Sequence, residues 1–538
     1  MSDDTAFLQA PLNQHFATPP RILIIGAGSR GTSYAEAALS SSNAIIACVC
    51  EPNEYKRNLF GSRFIWSDTG VPQFGQCFPD WRDWVKYEKD RQESLKTGKG
   101  LTGVGGFEPI IIDAVFVCVL DEMHEEVVCG IAGLGMSICV EKPLGTRMES
   151  CGRMYRALKD AERENENETV FGICHVLRYS QHNMMLRHLV LEKEVIGDVL
   201  SMEHVEPVGW WHFSHSYVRG NWRKESTTAP SLLTKSCHDI DFIMWMLCSQ
   251  PSKRADQSPH LPSHITSTGS RTFFRRARKP KEAANATNCL SCPHESDCIY
   301  SAKKIYIDKH LARGNANWPV KIVNPEIEDI FKARGKEAAE SKLLEALAED
   351  YTPSTPAEEV QARPWFGRCV YESDNDVVDD QTVTLTWADD PLSSDGIGSR
   401  GAKTALFHMV AFTEKQCERR GRIYGTKGEI SYDSTIIDVH TFSDGKTVTH
   451  TPHLAGGGHG GGDDGLVRQF LGAVNAVHRE GMGARQAQRE YLGCDLEEAV
   501  RSHMVVFAAE EARREERVVQ WGEWWERVGR ELGMGEAV

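Results

Sequence analysis

Residues 21–31 hold the feature that most constrains the fold of this 538-residue chain. The apolar run 21–25 is followed by the sequence GAGSRG and then by a stretch with helical character. In a G-x-G-x-x-G turn, Gly26 permits the tight bend, Gly28 lets backbone approach a pyrophosphate, and Gly31 lets the helix pack close to the strand. Backbone N–H groups at the start of the helix then face the phosphates. The spacing therefore predicts a Rossmann domain that binds a dinucleotide.

An acidic residue closes the second strand of this unit. The strand spans about residues 44–50 and is followed by Glu51, twenty residues beyond Gly31. A carboxylate at this point accepts hydrogen bonds from the adenosine ribose hydroxyls, which favours NAD over NADP. Arg30 and Arg57 lie close enough in sequence to meet a 2′-phosphate, so NADP stays open. The alternative for Glu51 is a solvated acid at a strand end.

Composition and charge narrow the class of protein. Hydrophobic residues make up 41% of the chain and charged residues 25%, as in a soluble globular protein. The net charge of −15 argues against nucleic acid or an anionic membrane as the main partner, because both would repel it. No apolar run approaches the roughly 18 residues that span a bilayer, and the first residues resemble neither a secretory signal nor a transit peptide. With sixteen scattered cysteines, we expect a reducing compartment and a cytoplasmic protein.

The succession of elements predicts two domains. Strands and helices alternate up to about residue 165, whereas β-rich runs separated by Gly, Asp or Ser dominate after residue 198. We therefore expect an α/β Rossmann domain with a parallel, doubly wound sheet, followed by an α+β domain with a large, mostly antiparallel sheet. The predicted boundaries are a tail at 1–20, the Rossmann domain at 21–165 with an inserted surface loop at 86–106, the second domain at 166–516 with a charge-rich insertion at 276–365, and a tail at 517–538.

Short motifs at corresponding places resemble one oxidoreductase family. The motifs are Glu141-Lys142-Pro143 after the strand at 137–140, His124 after the strand at 114–120, HDID at 238–241 and GTKGEI at 425–430. Together they resemble the Gfo/Idh/MocA family, which includes glucose–fructose oxidoreductase and inositol dehydrogenase, over about residues 21–275 and 365–515. The resemblance implies an NAD(P)-dependent oxidoreductase that transfers hydride between nicotinamide and a hydroxyl-bearing carbon of a sugar, cyclitol or related polyol. It also implies a homodimer or homotetramer.

The resemblance assigns roles to residues of the expected cleft. Lys142 would hydrogen-bond the substrate hydroxyl and help to move its proton, and the Lys142–Pro143 bond is a candidate for the cis form. His238 matches the family's histidine and is the candidate acid–base partner. Family members commonly carry an aspartate four residues before this histidine, where Thr234 stands here. The adjacent Lys235 is a candidate to bind an anionic or hydroxyl-rich substrate. The alternatives are a surface lysine at 142 and a core histidine at 238.

Further residues complete the predicted site. The segment 209–223 mixes aromatic residues with His, Asn and Arg, which suits a polyhydroxylated ligand, because flat rings cover the apolar face of a sugar. An aromatic interface is the alternative. The glycine run 456–465 either carries His459 over the site as a flexible loop or is a plain linker. The predicted cofactor contacts are Gly26, Gly28, Ser29, Arg30, Gly31, Glu51, Leu120, His124, Glu141 and Lys142. The predicted substrate contacts are Arg178, His215, Tyr217, Trp222, Thr234 and Lys235.

Three closely spaced cysteines form a separate motif, Cys289-x2-Cys292-x5-Cys298. Thiols at this spacing could hold three corners of a structural zinc site, with Cys369 or His294 as the fourth ligand. Reduced free thiols are the main alternative, and a disulfide is a third. Such a metal would staple the insertion and take no part in hydride chemistry.

Two other functions are compatible with these motifs. Some relatives of the family are glycoside hydrolases that hold NAD tightly and oxidise a sugar transiently, and they need the same lysine and cofactor. A second alternative is a non-catalytic NAD-binding regulator, since the yeast galactose-pathway repressor shares this fold. The presence of Lys142 together with His238 argues against a regulator.

Overall fold

The amino-terminal domain is built around a parallel sheet. The computed structural model describes residues 14–66, 70–97, 109–164, 169–249, 257–391, 400–453 and 458–534. The strands of the first sheet are β1 (Arg21–Ile25), β2 (Ile45–Cys50), β3 (Cys77–Phe78), β4 (Ala114–Val117), β5 (Ser137–Val140) and β6 (Phe171–Ile173). Their order across the sheet is β3-β2-β1-β4-β5-β6. Almost every residue of β1, β2, β4 and β5 is buried, as expected of strands covered on both faces.

Helices follow the strands of this sheet. They are α1 (Ser29–Ser41), α2 (Glu54–Phe64), α3 (Trp81–Lys96), α4 (His124–Ile131) and α5 (Met148–Glu164). The strand order reverses between β1 and β4, and ligands bind at such a switch point, outside the carboxyl ends of the strands. The glycine turn after β1 and the Glu141-Lys142-Pro143 turn after β5 both lie at this edge. The doubly wound Rossmann domain that the sequence predicts is thereby confirmed.

Part of the predicted surface loop at 86–106 is helical instead. The helix α3 continues through Lys96, because Trp84, Glu88 and Arg91 recur on one face and are buried there. Glu88 and Arg91 form an ion pair at 2.6 Å on that face. The charged residues that suggested a loop are therefore the exposed face of an amphipathic helix. Residues 98–106 lie outside the described part of the chain.

The second domain contains a larger sheet. Its strands are β7 (Val199–Pro207), β8 (His264–Ser270), β9 (Asp380–Trp387), β10 (Lys403–Val410), β11 (Arg420–Gly425), β12 (Gly428–Tyr432), β13 (Ile437–Thr441), β14 (Thr447–His450) and β15 (Val519–Gln520). Their order is β14-β13-β12-β11-β7-β10-β9-β8-β15, and neighbouring strands are antiparallel except β7 and β10. Buried and half-buried residues alternate along β9, which is typical of a sheet with one face on a core. The predicted mostly antiparallel sheet is confirmed.

The remaining helices follow the last strand of the first sheet along the chain. They are α6 (Gln181–Arg187), α7 (Trp210–Phe213), α8 (Ser231–Thr234), α9 (Cys237–Leu247), α10 (Val320–Val323), α11 (Ile327–Arg334), α12 (Lys336–Ala348), α13 (Ala357–Gln361), α14 (Gly462–Glu480), α15 (Ala484–Ala487), α16 (Leu496–Glu515) and α17 (Trp521–Leu532). The helices α9 and α16 pack on the second sheet, whereas α14 packs against α1 of the Rossmann domain. No helix in the described ranges is long and apolar enough to cross a membrane.

Both predicted tails are partly folded. At the amino terminus, Phe16 is buried in the core beside α1. At the carboxyl terminus, β15 pairs with β8, and Trp521 and Trp524 of α17 are buried. Leu532 then packs against Gly152 of α5 in the Rossmann domain. The sequence analysis did not predict this short strand and amphipathic helix, because many charged residues surround their apolar positions. Residues 1–13 and 535–538 lie outside the described ranges.

The insertion at 276–365 carries its own apolar core. Its buried residues include Ile305, Tyr306, Leu311, Val320, Ile327, Ala339, Leu343 and Leu347. Trp211 and Phe366 join this core from outside the insertion. The insertion therefore lies against the aromatic segment 209–223, which the sequence assigned to the substrate.

Candidate active site

The three glycines of the turn after β1 each meet a different steric demand. Gly26 has φ +99°, and a Cβ there would approach the carbonyl oxygen of Cys118 to 2.5 Å. At Gly31 a Cβ would lie 2.0 Å from the carbonyl oxygen of Gly26, so the helix could not pack so closely. A Cβ at Gly28 would meet nothing within 4 Å, so open space lies over this backbone. The turn therefore fits a pyrophosphate held by backbone N–H groups.

Glu51 is built into the same turn. Its carboxylate is buried, and Oε2 accepts the Ala27 N–H at 2.9 Å while Oε1 accepts the Asn53 N–H at 3.0 Å. Each oxygen keeps a lone pair, so the carboxylate fits the ribose hydroxyls of an adenosine. Arg57 donates from Nη1 to the carbonyl oxygen of Glu51 at 2.6 Å. The only predicted phosphate-binding arginine that stays at this end of the site is Arg57.

Arg30 turns away from the adenosine end. Its Nε donates to Glu141 at 2.6 Å, and its two terminal nitrogens bind Asp463 at 2.8 and 3.0 Å. Nη2 also donates to the Tyr34 hydroxyl at 2.5 Å. With two carboxylates as partners, this guanidinium has no charge left for a 2′-phosphate. The structure does not support the prediction that Arg30 could bind a 2′-phosphate, because Arg30 is already paired with Asp463, a residue distant in sequence.

Two buried histidines hold the Glu141-Lys142-Pro143 turn in place through hydrogen bonds to its backbone. The Lys142–Pro143 peptide is cis, as predicted. Nδ1 of His124 donates to the carbonyl oxygen of Pro143 at 2.8 Å, and Nε2 of His503 accepts the N–H of Leu144 at 2.8 Å. His124 is fully buried under the turn, so the predicted cofactor contact at His124 is corrected to a role in positioning the turn. Leu120 is exposed at the edge of the sheet, where the prediction places the cofactor.

Glu141 supports this turn electrostatically. Its Oε1 accepts the Tyr34 hydroxyl at 2.6 Å, and its Oε2 accepts the N–H of Lys142 at 2.8 Å. Burial would raise the pKa of Glu141, but the charges of Arg30 and Lys142 and the Tyr34 hydrogen bond lower it overall. The side chain is therefore a buried carboxylate that orients the lysine backbone.

Lys142 reaches across to the second domain. Its Nζ donates to the backbone carbonyl oxygen of Thr234 at 2.8 Å and lies 5.7 Å from the centre of the Trp222 ring. The Trp222 Nε1 donates to Asp121 at 2.8 Å, which fixes the indole plane. Thr234 is fully buried, and its hydroxyl donates to Pro230 at 3.2 Å. Thr234 thus acts through its backbone, which is not the side-chain contact that the sequence predicted.

His238 faces the same space. It is 6% exposed, and its Nδ1 finds no hydrogen-bond partner among the described residues. Burial, with Lys142 and His175 nearby, lowers the pKa of His238 well below its ordinary value, so the ring is neutral. The rings of His175 and His459 lie 5.8 and 6.2 Å from it. A neutral imidazole with a vacant hydrogen-bonding position suits a ligand hydroxyl.

Charges next to this space are balanced. Nζ of Lys235 lies 3.2 Å from a Glu206 oxygen and donates to the Cys417 sulfur at 3.0 Å. Arg419 pairs with Glu206 at 3.0 Å and with Asp239 at 2.5 Å. Burial would lower the pKa of Lys235, but Cys417 and Glu206 raise it overall. The lysine is therefore a paired cation, which does not fit the predicted anion binding.

Two predicted substrate residues lie elsewhere. Arg178 is buried, bound to both oxygens of Asp241 at 2.7 and 2.8 Å and to Glu498 at 2.9 Å. His215 donates to or accepts from the Tyr306 hydroxyl at 2.9 Å, and its ring lies 5.1 Å from that of Phe366. Neither side chain is free for a ligand, because each is paired inside a core. The sequence of segment 209–223 does not show which of its side chains face the cleft and which face the core of the insertion.

Tyr217 and Trp222 form the other face of that segment. Their rings stack with centroids 5.7 Å apart. Burial raises the pKa of Tyr217, so its hydroxyl stays protonated. Trp222 is the member of the pair that lies beside Lys142, and its contact with a substrate stays a prediction.

The motif cysteines come together without forming a metal site. Cys289, Cys292, Cys298 and Cys369 line one cavity of about 20 Å³. Arg219 donates from Nη2 to the Cys289 sulfur at 3.3 Å, which sets a cation against that thiol. Within the described ranges, no group of three or more His, Cys, Asp or Glu side chains is arranged to hold an ion. The zinc prediction is therefore not supported, and the cysteines are free thiols.

Opposite outcomes are expected for two aromatic-segment variants. Replacement of His215 by Ala should lower the unfolding free energy by about 2–3 kcal/mol, because it leaves a cavity and an unpaired Tyr306 hydroxyl. Its kcat should change less than about two-fold, since it lies outside the cleft. Replacement of Trp222 by Phe should instead lower activity with little loss of stability. Urea unfolding and steady-state kinetics of both variants check this, and a large kcat loss in H215A alone would reverse the assignment.

Comparisons with known proteins agree with this architecture. Residues 20–165 match the model of the Gfo/Idh/MocA family, described as an oxidoreductase family with an NAD-binding Rossmann fold. Comparison with curated proteins gives no match. The fold and site thus define an oxidoreductase with an NAD-binding Rossmann domain. The match covers residues 20–165 of the 538, and it is to the family that the motifs of the sequence resemble.

Solved structures share the fold over nearly the whole chain. Levoglucosan dehydrogenase with NADH and levoglucosan is 14% identical, covers 93% of this chain and 99% of its own, and has a TM-score of 0.53. An Agrobacterium radiobacter oxidoreductase with NAD⁺, L-tartaric acid and magnesium is 12% identical, covers 94% of this chain and 99% of its own, and has a TM-score of 0.51. A Desulfitobacterium hafniense protein described as an NADPH-dependent oxidoreductase is 16% identical, covers 94% of this chain and 99% of its own, and has a TM-score of 0.53. Identities this low show the shared two-domain fold and no more.

Proposed function

We propose that the chain is an NAD-dependent dehydrogenase acting on a hydroxyl-bearing carbon of a sugar, cyclitol or related polyol. The observation that carries the proposal is the placement of Lys142. Its ammonium group is held at 2.8 Å by the Thr234 carbonyl, at the sheet edge that also carries the glycine turn. His238 adds a buried ring nitrogen without a partner among the described residues. A substrate hydroxyl at this place would give both groups a partner.

The roles of the residues follow from their contacts. When bound, the nicotinamide supplies the hydride acceptor, with the glycine turn at the pyrophosphate and Glu51 at the adenosine ribose. Lys142 donates a hydrogen bond to the substrate hydroxyl oxygen and stabilises it as its proton leaves. His238 is neutral and can accept that proton, and because its pKa is lowered it is a weak base that passes the proton on. Trp222 offers a flat apolar surface to the carbon face of the ligand.

The charge balance favours a neutral substrate. Lys235 and Arg419 are already paired with Glu206 and Asp239, so no cation of this cluster is left for a carboxylate ligand. The similar structures carry both kinds of ligand, levoglucosan in one and L-tartaric acid in another. For this chain the paired charges favour the neutral anhydrosugar type over the acid.

A substrate panel tests the proposal. The purified protein is incubated with NAD⁺ and neutral sugars, anhydrosugars, cyclitols, sugar acids and glycosides, and NADH is followed by absorbance. We expect net NADH formation with a neutral polyol and little with the acids. Cleavage of a glycoside without net NADH would identify the hydrolase alternative instead. Cofactor binding without turnover of any compound would identify the regulator.

The preference for NAD is expected to depend on Glu51. Replacement by Gln should weaken NADH binding about 10- to 100-fold, because it removes a charge-assisted hydrogen bond to the ribose worth about 1.5–3 kcal/mol. Affinity for NADPH should fall less, so the ratio of the two dissociation constants should shrink. Fluorescence titration with each cofactor measures this, and Glu54→Gln, an exposed acid three residues further on, is the matched control. Equal losses for both cofactors would contradict the assigned role.

A further inference from the structure

A histidine from the glycine run stands at the edge of the site. His459 has φ +54° and is followed by Gly460 and Gly461 in left-handed conformations, with φ +65° and +85°. This backbone path brings the ring to 6.2 Å from the ring of His238. The helix α14 begins directly afterwards, and Gly462 lets it approach Val176, since a Cβ there would lie 2.3 Å from that carbonyl oxygen. The glycines therefore place one histidine at a defined point.

Asp463 fixes the orientation of this ring. Its Oδ1 lies 3.1 Å from Nδ1 of His459. The same carboxylate binds Arg30 through both oxygens and is 3% exposed at its side chain. Burial would raise the pKa of Asp463, but the hydrogen bonds from His459 and Arg30 lower it, so the group is ionised. An ionised acceptor at Nδ1 keeps the proton there and leaves Nε2 as the free acceptor.

Exposure distinguishes the two histidines. The His459 side chain is 37% exposed, whereas His238 is 6% exposed. His459 therefore has more direct access to solvent than His238. The groups facing His459 are Asp463 on α14, Arg30 on α1 and His238 on α9. His459 thus combines access to water with a position beside His238.

We propose that His459, oriented by Asp463, is the proton-relay residue of the site. This inference rests on the proposed dehydrogenase function. As the substrate carbon gives up its hydride, the hydroxyl proton moves to His238, then to Nε2 of His459, and leaves to water from there. The substrate becomes a carbonyl compound, and one proton is released per turnover.

Rescue kinetics test the relay. With a substrate found in the panel, His459→Ala is expected to lower kcat about 100-fold, with NADH affinity changed less than about two-fold. Added imidazole should restore much of the loss, which a merely structural role would not allow. Asp463→Asn should reproduce part of it. Asp464→Asn, in the same first turn of α14 and without contact to His459, is the charge-matched control and should stay within about two-fold.

A second readout needs no turnover. In ¹⁵N-histidine spectra of the protein with NADH bound, the signal lost in the His459 variant should show the Nδ1-protonated tautomer, and Asp463→Asn should change it. If the wild type reduces NAD⁺ but the His459 variant is equally fast or not rescued, the relay is wrong and the dehydrogenase stands. A mixed or Nε2-protonated tautomer in the wild type also overturns the relay. Absence of any turnover in the wild type contradicts the proposed function itself.

Discussion

Replacement of Lys142 by Met is expected to lower kcat about 1,000-fold while NADH affinity changes less than about two-fold. Methionine keeps the length of the side chain and its packing over Trp222 but removes the charged donor. Without it, nothing at this position stabilises the substrate oxygen as its proton leaves. The proposed cofactor contacts at the glycine turn and Glu51 are left in place by this change. Steady-state kinetics with NADH titration measure both quantities.

Two further variants make this result specific. Lys142→Arg keeps a cation but cannot occupy the same hydrogen bond to Thr234 with the same geometry, so most of the loss should remain. Lys159→Met, which alters a half-buried lysine of α5 paired with Glu162 and Glu497, is the control and should leave kcat unchanged. If Lys142→Met retained the wild-type kcat, the lysine would have no part in the chemistry.

Acidification from about pH 6 to about pH 5 is expected to cost about 3–4 kcal/mol of unfolding free energy through three buried histidines. Burial lowers the pKa of His175 to about 3, of His215 to about 3 and of His503 to about 4. In the unfolded chain the pKa of a histidine is about 6.5. Below that pH the unfolded state therefore binds protons that the folded state does not bind. Their contribution to stability is therefore complete above about pH 6.5 and is lost as the pH falls towards their folded pKa values.

The His503 ring shows why protonation is excluded. Its Nδ1 donates to the Ala499 carbonyl oxygen at 2.8 Å, and its Nε2 accepts the Leu144 N–H at 2.8 Å. A proton on Nε2 would face that N–H and break the support under the Lys142 turn. Acids such as Glu498, whose pKa burial raises, act in the opposite direction, so a paired variant is needed to isolate the histidines.

Urea unfolding across this pH range checks the prediction. His503→Gln should reduce the slope of unfolding free energy against pH by about 1.2 kcal/mol per pH unit, whatever its effect on stability at neutral pH. His453→Gln alters an exposed histidine and should leave the slope unchanged. An unaltered slope in the His503 variant would mean that this ring titrates alike in the folded and unfolded chain.

The parts of the site that could be predicted are those whose chemistry lies within one short segment. The glycine turn works through backbone conformation and close approach, and both are dictated by the absence of a side chain at Gly26, Gly28 and Gly31. The place of Lys142 was implied by the resemblance of Glu141-Lys142-Pro143 to the family's motif. The parallel first sheet and the mostly antiparallel second sheet also follow from local patterns in the sequence.

Pairings across the chain could not be predicted. Arg30 and Asp463 are 433 residues apart, yet their ion pair decides that Arg30 leaves the adenosine end and that His459 is oriented. The sequence brought His459 into view only as part of a glycine run. Likewise, Thr234 binds Lys142 through its backbone carbonyl group. Every residue has such a group, so no side-chain motif could predict this contact. His215 was misplaced because two faces of one aromatic segment pack against different cores.

The most direct test of the central claim is deuterium transfer to the cofactor. The protein is mixed with NAD⁺ and carbon-deuterated members of the neutral polyol panel, and the cofactor is analysed by mass spectrometry. We predict one deuterium per NADH formed with at least one of these compounds, and about 1,000-fold slower transfer in Lys142→Met. Tight binding of NAD⁺ without deuterium in the cofactor for any compound of the panel would contradict the proposed hydride transfer.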